Sequence, residues 1–128
     1  MYRILLVEDA ETLREVITSL LKNDGFEVHE FAEAEPALEE LRRSSYDCVL
    51  SDFRLPKMDG IEFLKGVREV APRVPFLIMT AYGSIEIAVE AMKHGANDFI
   101  CKPFEPDKLS AVLRQVIEHK RIIDRSIG

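Results

Sequence analysis

Short, wholly apolar runs alternate with helical patterns along the whole chain, and this alternation limits the fold more than any other feature of the sequence. The apolar runs that we interpret as buried strands are residues 4–7, 48–50, 76–79 and 99–101. Phe26 and Val28 alternate with polar residues, which predicts a shorter strand near the edge of a sheet. Strands that are apolar throughout are typical of a parallel sheet buried between two layers of helices.

The segments between these runs carry apolar residues three and four positions apart, the spacing of one face of a helix. The first such stripe comprises Leu13, Val16, Ile17, Leu20 and Leu21. Gly25 and Gly95 are expected to end two helices in the left-handed conformation, and Ser84 is expected to cap the start of the fourth. The sequence therefore predicts one doubly wound α/β domain with right-handed crossovers and helices on both faces of the sheet.

Composition and charge exclude several functions. The chain has 128 residues and a formal net charge of −6 without a cluster of Lys and Arg, whereas nucleic-acid binding needs clustered positive charge. No apolar run approaches the roughly 18 residues of a membrane span, and the N-terminus lacks a signal-peptide pattern. We therefore expect a cytoplasmic protein, in which Cys48 and Cys101 are small core residues in a reducing compartment.

Charged or hydroxyl side chains follow each of the buried runs. Glu8 and Asp9 follow the first run, Asp52 the second, Thr80 the third and Lys102 the last. In a doubly wound sheet, ligands bind outside the carboxyl ends of the strands. We therefore expect these five side chains to lie along one edge of the sheet.

Each of these residues also has an ordinary structural interpretation. Single acids at strand ends often cap helices or form turns, Thr80 could bond to the backbone, and Lys102 could be a solvated cation. Three converging carboxylates, however, raise each other's pKa values unless a cation lies among them. Lys102 supplies one positive charge, and Mg²⁺, which accepts carboxylates while keeping waters, would complete the site.

The segment VEDAETL after the first strand also argues against one competing class of protein. Nucleotide- and flavin-binding domains of this topology need a glycine- or hydroxyl-rich loop there, with N–H groups that face phosphate. An acidic loop would repel phosphate in the absence of a metal. The sequence thus favours a metal site at this position.

Four segments, in the order ILLVEDAE, VLSDFRLPKMDG, LIMTAYGS and FICKPF, carry a resemblance to a known family. Through these segments, the chain resembles the receiver domain of two-component response regulators along essentially its whole length. The stretch TAYGSIEIAVEAMKHGANDFICKPF, together with DFRLP, is similar to receivers of nitrogen-regulation-type enhancer-binding transcription activators. The resemblance implies a five-stranded parallel sheet in the flavodoxin-like order 2-1-3-4-5.

The resemblance also implies roles for the residues at the strand ends. Asp52 would accept a phosphoryl group from a sensor histidine kinase, and Thr80 and Lys102 would each bind a phosphoryl oxygen. The ligands of Mg²⁺ would be Glu8, Asp9, Asp52 and the backbone carbonyl of Arg54.

Further positions take their roles from the same resemblance. Phe99 would be the rotating aromatic residue of a conformational switch, although from the residues alone it is equally a core aromatic of a strand. Arg54 and Tyr82 would tune the lifetime of the phosphoryl group, and the Lys102–Pro103 bond would be cis.

The expected domain boundaries are residues 1–120 for the receiver and 121–128 for a helical extension or the start of a linker. The resemblance implies output through the fourth helix, fifth strand and fifth helix, toward an attached output domain or a partner. This surface and the C-terminal helix are both candidates for a homodimer contact. A stand-alone receiver and a piece of a longer regulator both fit the sequence.

Three functions remain open at this point. The first is a signalling phosphoacceptor that is not an enzyme for another substrate but catalyses its own phosphotransfer and dephosphorylation. The second is a Mg²⁺-dependent phosphohydrolase, which would carry a second aspartate two residues after Asp52, where this chain has Arg54. The third is an interaction module that no longer depends on phosphate, which the complete set of site residues disfavours.

Overall fold

Strands and helices alternate strictly in the computed structural model, which describes residues 1–81 and 84–127. Within these ranges the elements are β1 (Arg3–Val7), α1 (Glu11–Asn23), β2 (Glu27–Phe31), α2 (Ala34–Arg43), β3 (Cys48–Asp52), α3 (Gly60–Val70), β4 (Phe76–Ala81), α4 (Ile85–Lys93), β5 (Asp98–Lys102) and α5 (Pro106–Ile127). The last helix continues across the boundary predicted at residue 120. None of the helices described is both long enough and apolar enough to cross a membrane.

The five strands form one parallel sheet in the order β2-β1-β3-β4-β5. This order confirms the predicted doubly wound, flavodoxin-like fold, and it places the partly polar strand β2 at an edge as its alternation predicts. The order reverses between β1 and β3, so the carboxyl ends of these two strands border the crevice in which such sheets bind ligands.

Two apolar layers cover the sheet. On one face, Leu6 and Leu50 pack with Ile17 of α1 and with Leu113 and Ile117 of α5. The opposite face of the same strands packs against α2 and α3 through a second cluster that includes Leu5, Val49, Leu41, Phe63 and Leu64. Successive side chains of a strand point to opposite faces, so a strand between two helical layers must be apolar throughout. Charged residues are thereby confined to its ends.

Some local predictions are confirmed and others need correction. Gly25 and Gly95 have φ values of 89° and 102°, and the Lys102–Pro103 bond is cis. Ser84 precedes α4 as predicted, but its side chain makes no capping hydrogen bond. Val16 was expected on the buried face of α1, yet 54% of it is exposed, because Ile17 and Leu21 already fill the contact with the sheet.

The side chain of Arg68 on α3 joins the ends of two helices. Its Nη1 donates a hydrogen bond to the carbonyl of Val74 at 2.7 Å, and its Nη2 donates to the carbonyl of Gly95 at 2.7 Å and to Oδ1 of Asn97 at 3.2 Å. Burial lowers the pKa of this guanidinium. Carbonyl oxygens beyond the C-termini of α3 and α4, where the helix dipole favours a cation, stabilise the charge.

We expect Gly95→Ala to destabilise the protein more than Gly25→Ala. Both substitutions place alanine in the left-handed region, at a cost of about 1–2 kcal/mol. A Cβ on residue 95 would also lie 2.9 Å from Nε of Arg68, whereas the nearest atom to a Cβ on residue 25 is Nη2 of Arg114 at 3.9 Å. Displacing Arg68 breaks charged hydrogen bonds worth about 1.5–3 kcal/mol each. Urea unfolding of the two variants measures the difference, and equal losses would contradict the role given to Arg68.

Candidate functional site

The carboxyl ends of the strands bring the predicted polar side chains to one edge of the sheet. Glu8 follows β1, Asp52 ends β3, Thr80 lies near the end of β4 and Lys102 ends β5. Glu8 and Asp52 are 1% and 7% exposed, and Thr80 is 1% exposed. Asp9 lies beside them and is exposed to solvent. The edge is therefore a largely buried polar pocket with one open side.

Lys102 bridges two of the carboxylates. Its Nζ lies 2.8 Å from Oε1 of Glu8 and 3.0 Å from Oδ1 of Asp52. Burial raises the pKa of Glu8 above its usual value, although the hydrogen bond from Lys102 opposes this. Burial alone lowers the pKa of Lys102, but its bonds to both carboxylates outweigh burial and raise it. At neutral pH the ammonium is therefore charged and offsets part of the negative charge.

The three carboxylates also fit a hard divalent cation. One oxygen each from Glu8, Asp9 and Asp52 lies within 4.8 Å of the other two. Such oxygens are the ligands that Mg²⁺ prefers, and the exposed side at Asp9 leaves room for the waters that this ion retains. Lys102 contributes one positive charge among three acids. The donor set and its uncompensated charge thus match the group that the sequence predicts.

The main chain of the β1–α1 loop is held on several sides. The Glu8 N–H donates to the carbonyl of Phe31 at 3.0 Å, which extends the pairing of β1 with β2. The Ala10 N–H donates to Oε2 of Glu8 at 3.1 Å. The Arg14 guanidinium donates through Nη1 to the carbonyl of Glu8 at 2.8 Å. Sequence reasoning did not single out Arg14, because an arginine in the first turns of a helix resembles any solvated charge.

The loop that follows Asp52 depends on Gly60. The Gly60 N–H donates to the carbonyl of Phe53 at 2.6 Å. A Cβ at this position would lie 2.7 Å from the Asp52 carbonyl oxygen and 2.8 Å from Cα of Phe53. Only glycine lets α3 begin this close to the end of β3. In the sequence, Gly60 is marked only as the last residue of the segment VLSDFRLPKMDG.

Two predicted switch residues lie outside the acidic cluster. The Thr80 hydroxyl donates to Sγ of Cys101 at 3.8 Å. Phe99 on β5 is 38% exposed, so its interpretation as a core aromatic residue is wrong. The strand that carries it, β5, lies at the edge of the sheet. Cys101 and Cys48 are both free thiols, and Cys101 is only partly buried.

Arg54 and Tyr82 are the two residues predicted to tune the lifetime of the phosphoryl group. Arg54 is exposed and, together with Asp52, lines a surface groove. Tyr82 lies outside the described residues. The geometry therefore places one of these two residues next to the acidic cluster.

An apolar groove of about 480 Å³ leads away from Asp52 and Lys102. It lies between α1 and the segment that joins β5 to α5. The apolar side chains that line it include Leu13, Val16, Leu20, Pro103, Phe104 and Pro106. The exposed position of Val16 is thus part of this groove, and the buried acids can be reached from an apolar surface.

Comparison with known proteins gives a consistent family. The family described as response regulator receiver domain matches residues 4–114. The chain is 42% identical over 121 residues to the transcriptional regulatory protein ZraR of Escherichia coli O157:H7, covering 94% of this chain and 27% of that protein. It is 43% identical over 114 residues to the transcriptional regulatory protein FixJ of Bradyrhizobium diazoefficiens, covering 89% of this chain and 56% of FixJ.

Solved structures agree with the sequence relatives. Full-length FixJ from B. japonicum superimposes with a TM-score of 0.90 at 40% identity, covering 98% of this chain and 62% of that one. NtrX from Brucella abortus gives a TM-score of 0.92 at 29% identity, covering 98% and 28%. These similarities confirm the resemblance to receivers of nitrogen-regulation-type activators. The chain spans only part of the length of these relatives.

We expect the free energy of unfolding of the Lys102→Met variant to increase as the pH falls from 8 toward 5. Removing the ammonium removes a hydrogen bond that lowers the pKa of Glu8, so this pKa rises further above its unfolded value of about 4.3. A raised pKa means that the folded state binds the proton more tightly, and each unit is worth about 1.4 kcal/mol. The gain appears as the pH falls through the folded pKa and is complete below the unfolded pKa.

Urea unfolding in EDTA at three pH values measures this effect. Lys108→Met, which removes an exposed lysine of α5, serves as the matched control and is expected to follow the wild-type profile. If Lys102→Met also follows that profile, Lys102 does not govern the ionisation of Glu8.

Proposed function

Because the chain belongs to the response regulator receiver domain family, we propose that it is the phosphoryl-accepting signalling module of a two-component system. Asp52 is the acceptor, and its phosphodonor is the phosphohistidine of a sensor histidine kinase. The observation that carries the proposal is the ammonium of Lys102, which contacts both Glu8 and Asp52 beside a cluster of three carboxylates. Phosphoryl transfer needs this combination of an acid nucleophile and fixed positive charge.

In the proposed reaction a carboxylate oxygen of Asp52 attacks the phosphorus atom, the P–N bond to histidine breaks, and an acyl phosphate forms. Mg²⁺ held by Glu8, Asp9, Asp52 and the Arg54 carbonyl would neutralise charge on the transferred group. Lys102 is already within 3.0 Å of Asp52 and needs little movement to pair with a phosphoryl oxygen. The same groups serve the later hydrolysis, so the chain assists its own phosphorylation and dephosphorylation. Arg54 and Tyr82 flank this step and tune its rate.

The response to phosphorylation begins at Thr80. The phosphoryl group of the acyl phosphate carries roughly 1.5 to 2 negative charges, which replace the single charge of the Asp52 carboxylate. The Thr80 hydroxyl then exchanges its weak contact with Cys101 for a phosphoryl oxygen. Movement of the β4 end frees the space into which Phe99 turns from its partly exposed position. The result is a shift between two conformations of the surface formed by α4, β5 and α5.

The partners follow from the surfaces and from the relatives. The apolar groove beside Asp52 suits a helix of the kinase that presents its phosphohistidine. ZraR and FixJ are named as transcriptional regulatory proteins and are longer than this chain. We therefore propose that residues 1–120 control an attached output domain in transcription, that 121–128 begin the linker, and that the protein acts in the cytoplasm. The exposed Ile85 and Val89 on α4 and Ile122 on α5 offer surfaces for a homodimer.

We expect Asp52→Asn to abolish phosphorylation without loss of the fold, because an amide cannot act as the nucleophile. The measurement is intact mass after incubation with acetyl phosphate, with and without Mg²⁺, together with sizing chromatography. The wild-type chain should gain one acid-stable, base-labile phosphoryl group only when the metal is present. Asp24→Asn, which changes an exposed aspartate at the end of α1, should label normally. Normal labelling of Asp52→Asn would refute the assignment, and absence of any wild-type adduct would favour an interaction module that is independent of phosphate.

We expect Val16→Ser to slow transfer from a phosphorylated histidine kinase by about tenfold, the loss typical of a residue central to an interface. Labelling by acetyl phosphate should not change, because this small donor does not use the groove. Val89→Ser is the matched control, since Val89 is a similarly exposed valine on α4, outside the groove. Purified kinases that label the wild-type chain supply the donor. Equal transfer to both variants would place kinase docking elsewhere.

A further inference from the structure

Arg14 on α1 connects three parts of the molecule at the acidic edge of the sheet. Its Nη1 donates to the backbone carbonyl of Glu8 at 2.8 Å, and its Nε lies 3.3 Å from Oε1 of Glu30 on the edge strand β2. Only 17% of the Arg14 side chain is exposed. The guanidinium is therefore confined between α1, the end of β1 and the end of β2.

The bond to the Glu8 carbonyl fixes the peptide group that leads into Asp9. The carboxylates of Glu8 and Asp52 are themselves held by Lys102. In the part of the chain described, no side-chain hydrogen bond or ion pair holds the carboxylate of Asp9. The direction of the Asp9 side chain thus depends on the orientation of its backbone, which Arg14 controls from one side.

We propose that Arg14 is a positioning residue for the divalent cation, a role that rests on the metal-dependent function proposed above. By holding the Glu8–Asp9 peptide, Arg14 aims the exposed third carboxylate at the two buried ones. It does so through a carbonyl rather than a carboxylate of the cluster, so it adds no competing ion pair to the metal ligands. Glu30 on the opposite side balances the charge of the guanidinium.

Residues that orient metal ligands typically change metal affinity by about 10- to 100-fold when removed. The loss of affinity in Arg14→Ala should lie at the lower end of this range, because Lys102 still holds the carboxylates of Glu8 and Asp52. The rate of phosphorylation at saturating Mg²⁺ should recover to near the wild-type value, since Asp52 and Lys102 are unchanged. A general loss of structure would instead lower the rate at every Mg²⁺ concentration.

The test is a calorimetric titration of Mg²⁺ into the 128-residue chain and its variants, followed by acetyl phosphate labelling across the same metal concentrations. Arg14→Ala is expected to weaken Mg²⁺ binding by about tenfold, and Arg14→Lys, which keeps a donor for the Glu8 carbonyl, should bind more tightly than Arg14→Ala. Glu30→Gln, the matched control, removes the ion pair but leaves the carbonyl bond, so its affinity should stay within about twofold of wild type. Should Arg14→Ala fail to fold, Arg14→Met, which keeps the aliphatic part of the side chain but has no donor, is titrated in its place.

Three outcomes would count against the proposal. Unchanged affinity in Arg14→Ala would show that the loop holds Asp9 without help. Equal losses in Arg14→Ala and Glu30→Gln would assign the effect to the ion pair with β2. If Arg14→Met is titrated in place of Arg14→Ala, unchanged affinity in that variant would count against the proposal in the same way. Failure of the wild-type chain to bind Mg²⁺ at all would instead overturn the proposed function on which this inference rests.

Discussion

The attraction between one ammonium and two buried carboxylates sets the conditions for the rest of this structure. Glu8 follows β1 and Asp52 ends the neighbouring strand β3, and burial raises the pKa of Glu8 while the hydrogen bond from Lys102 opposes this rise. Lys102 reaches both from the end of β5, at the far side of the sheet. The two ion pairs of Lys102 therefore connect the carboxyl ends of β1, β3 and β5. A further charge beside Lys102 changes the electrostatic force on all three strands.

The fold and the main polar residues could be predicted from sequence because one physical rule governs both. A strand covered on both faces has no place for a charge except at its ends, so the sequence marks each strand end with a polar residue. Parallel strands then carry Glu8, Asp52 and Lys102 to the same edge without any long-range information. The glycines at positions 25 and 95 were predictable for an equally local reason, since their backbone conformation disfavours every other residue.

Other features could not be predicted because they depend on contacts between distant elements. Val16 fits the apolar stripe of α1, and only the packed position of that helix shows that the stripe is wider than its contact with the sheet. Phe99 has the pattern of a core residue but lies on β5, an edge strand of the sheet, and is partly exposed. Arg68 bonds a main-chain carbonyl 27 residues along the chain, and Arg14 bonds the carbonyl of Glu8 just before its own helix. No side-chain pattern marks a main-chain partner. The roles of the site residues themselves were inferred from the family resemblance, because each residue alone also has an ordinary structural interpretation.

The contact between Arg68 and Gly95 anchors α4 by a side chain at one end only. Its C-terminal end is tied to α3 and to the start of β4, while Ser84 at its other end makes no side-chain cap. A helix of nine residues is about 13 Å long, so a small rotation about the tied end displaces Ile85 far more than Met92. A partner bound to the exposed row Ile85, Val89 and Met92 would therefore meet a displacement that decreases from Ile85 to Met92, and not an equal displacement of all three residues.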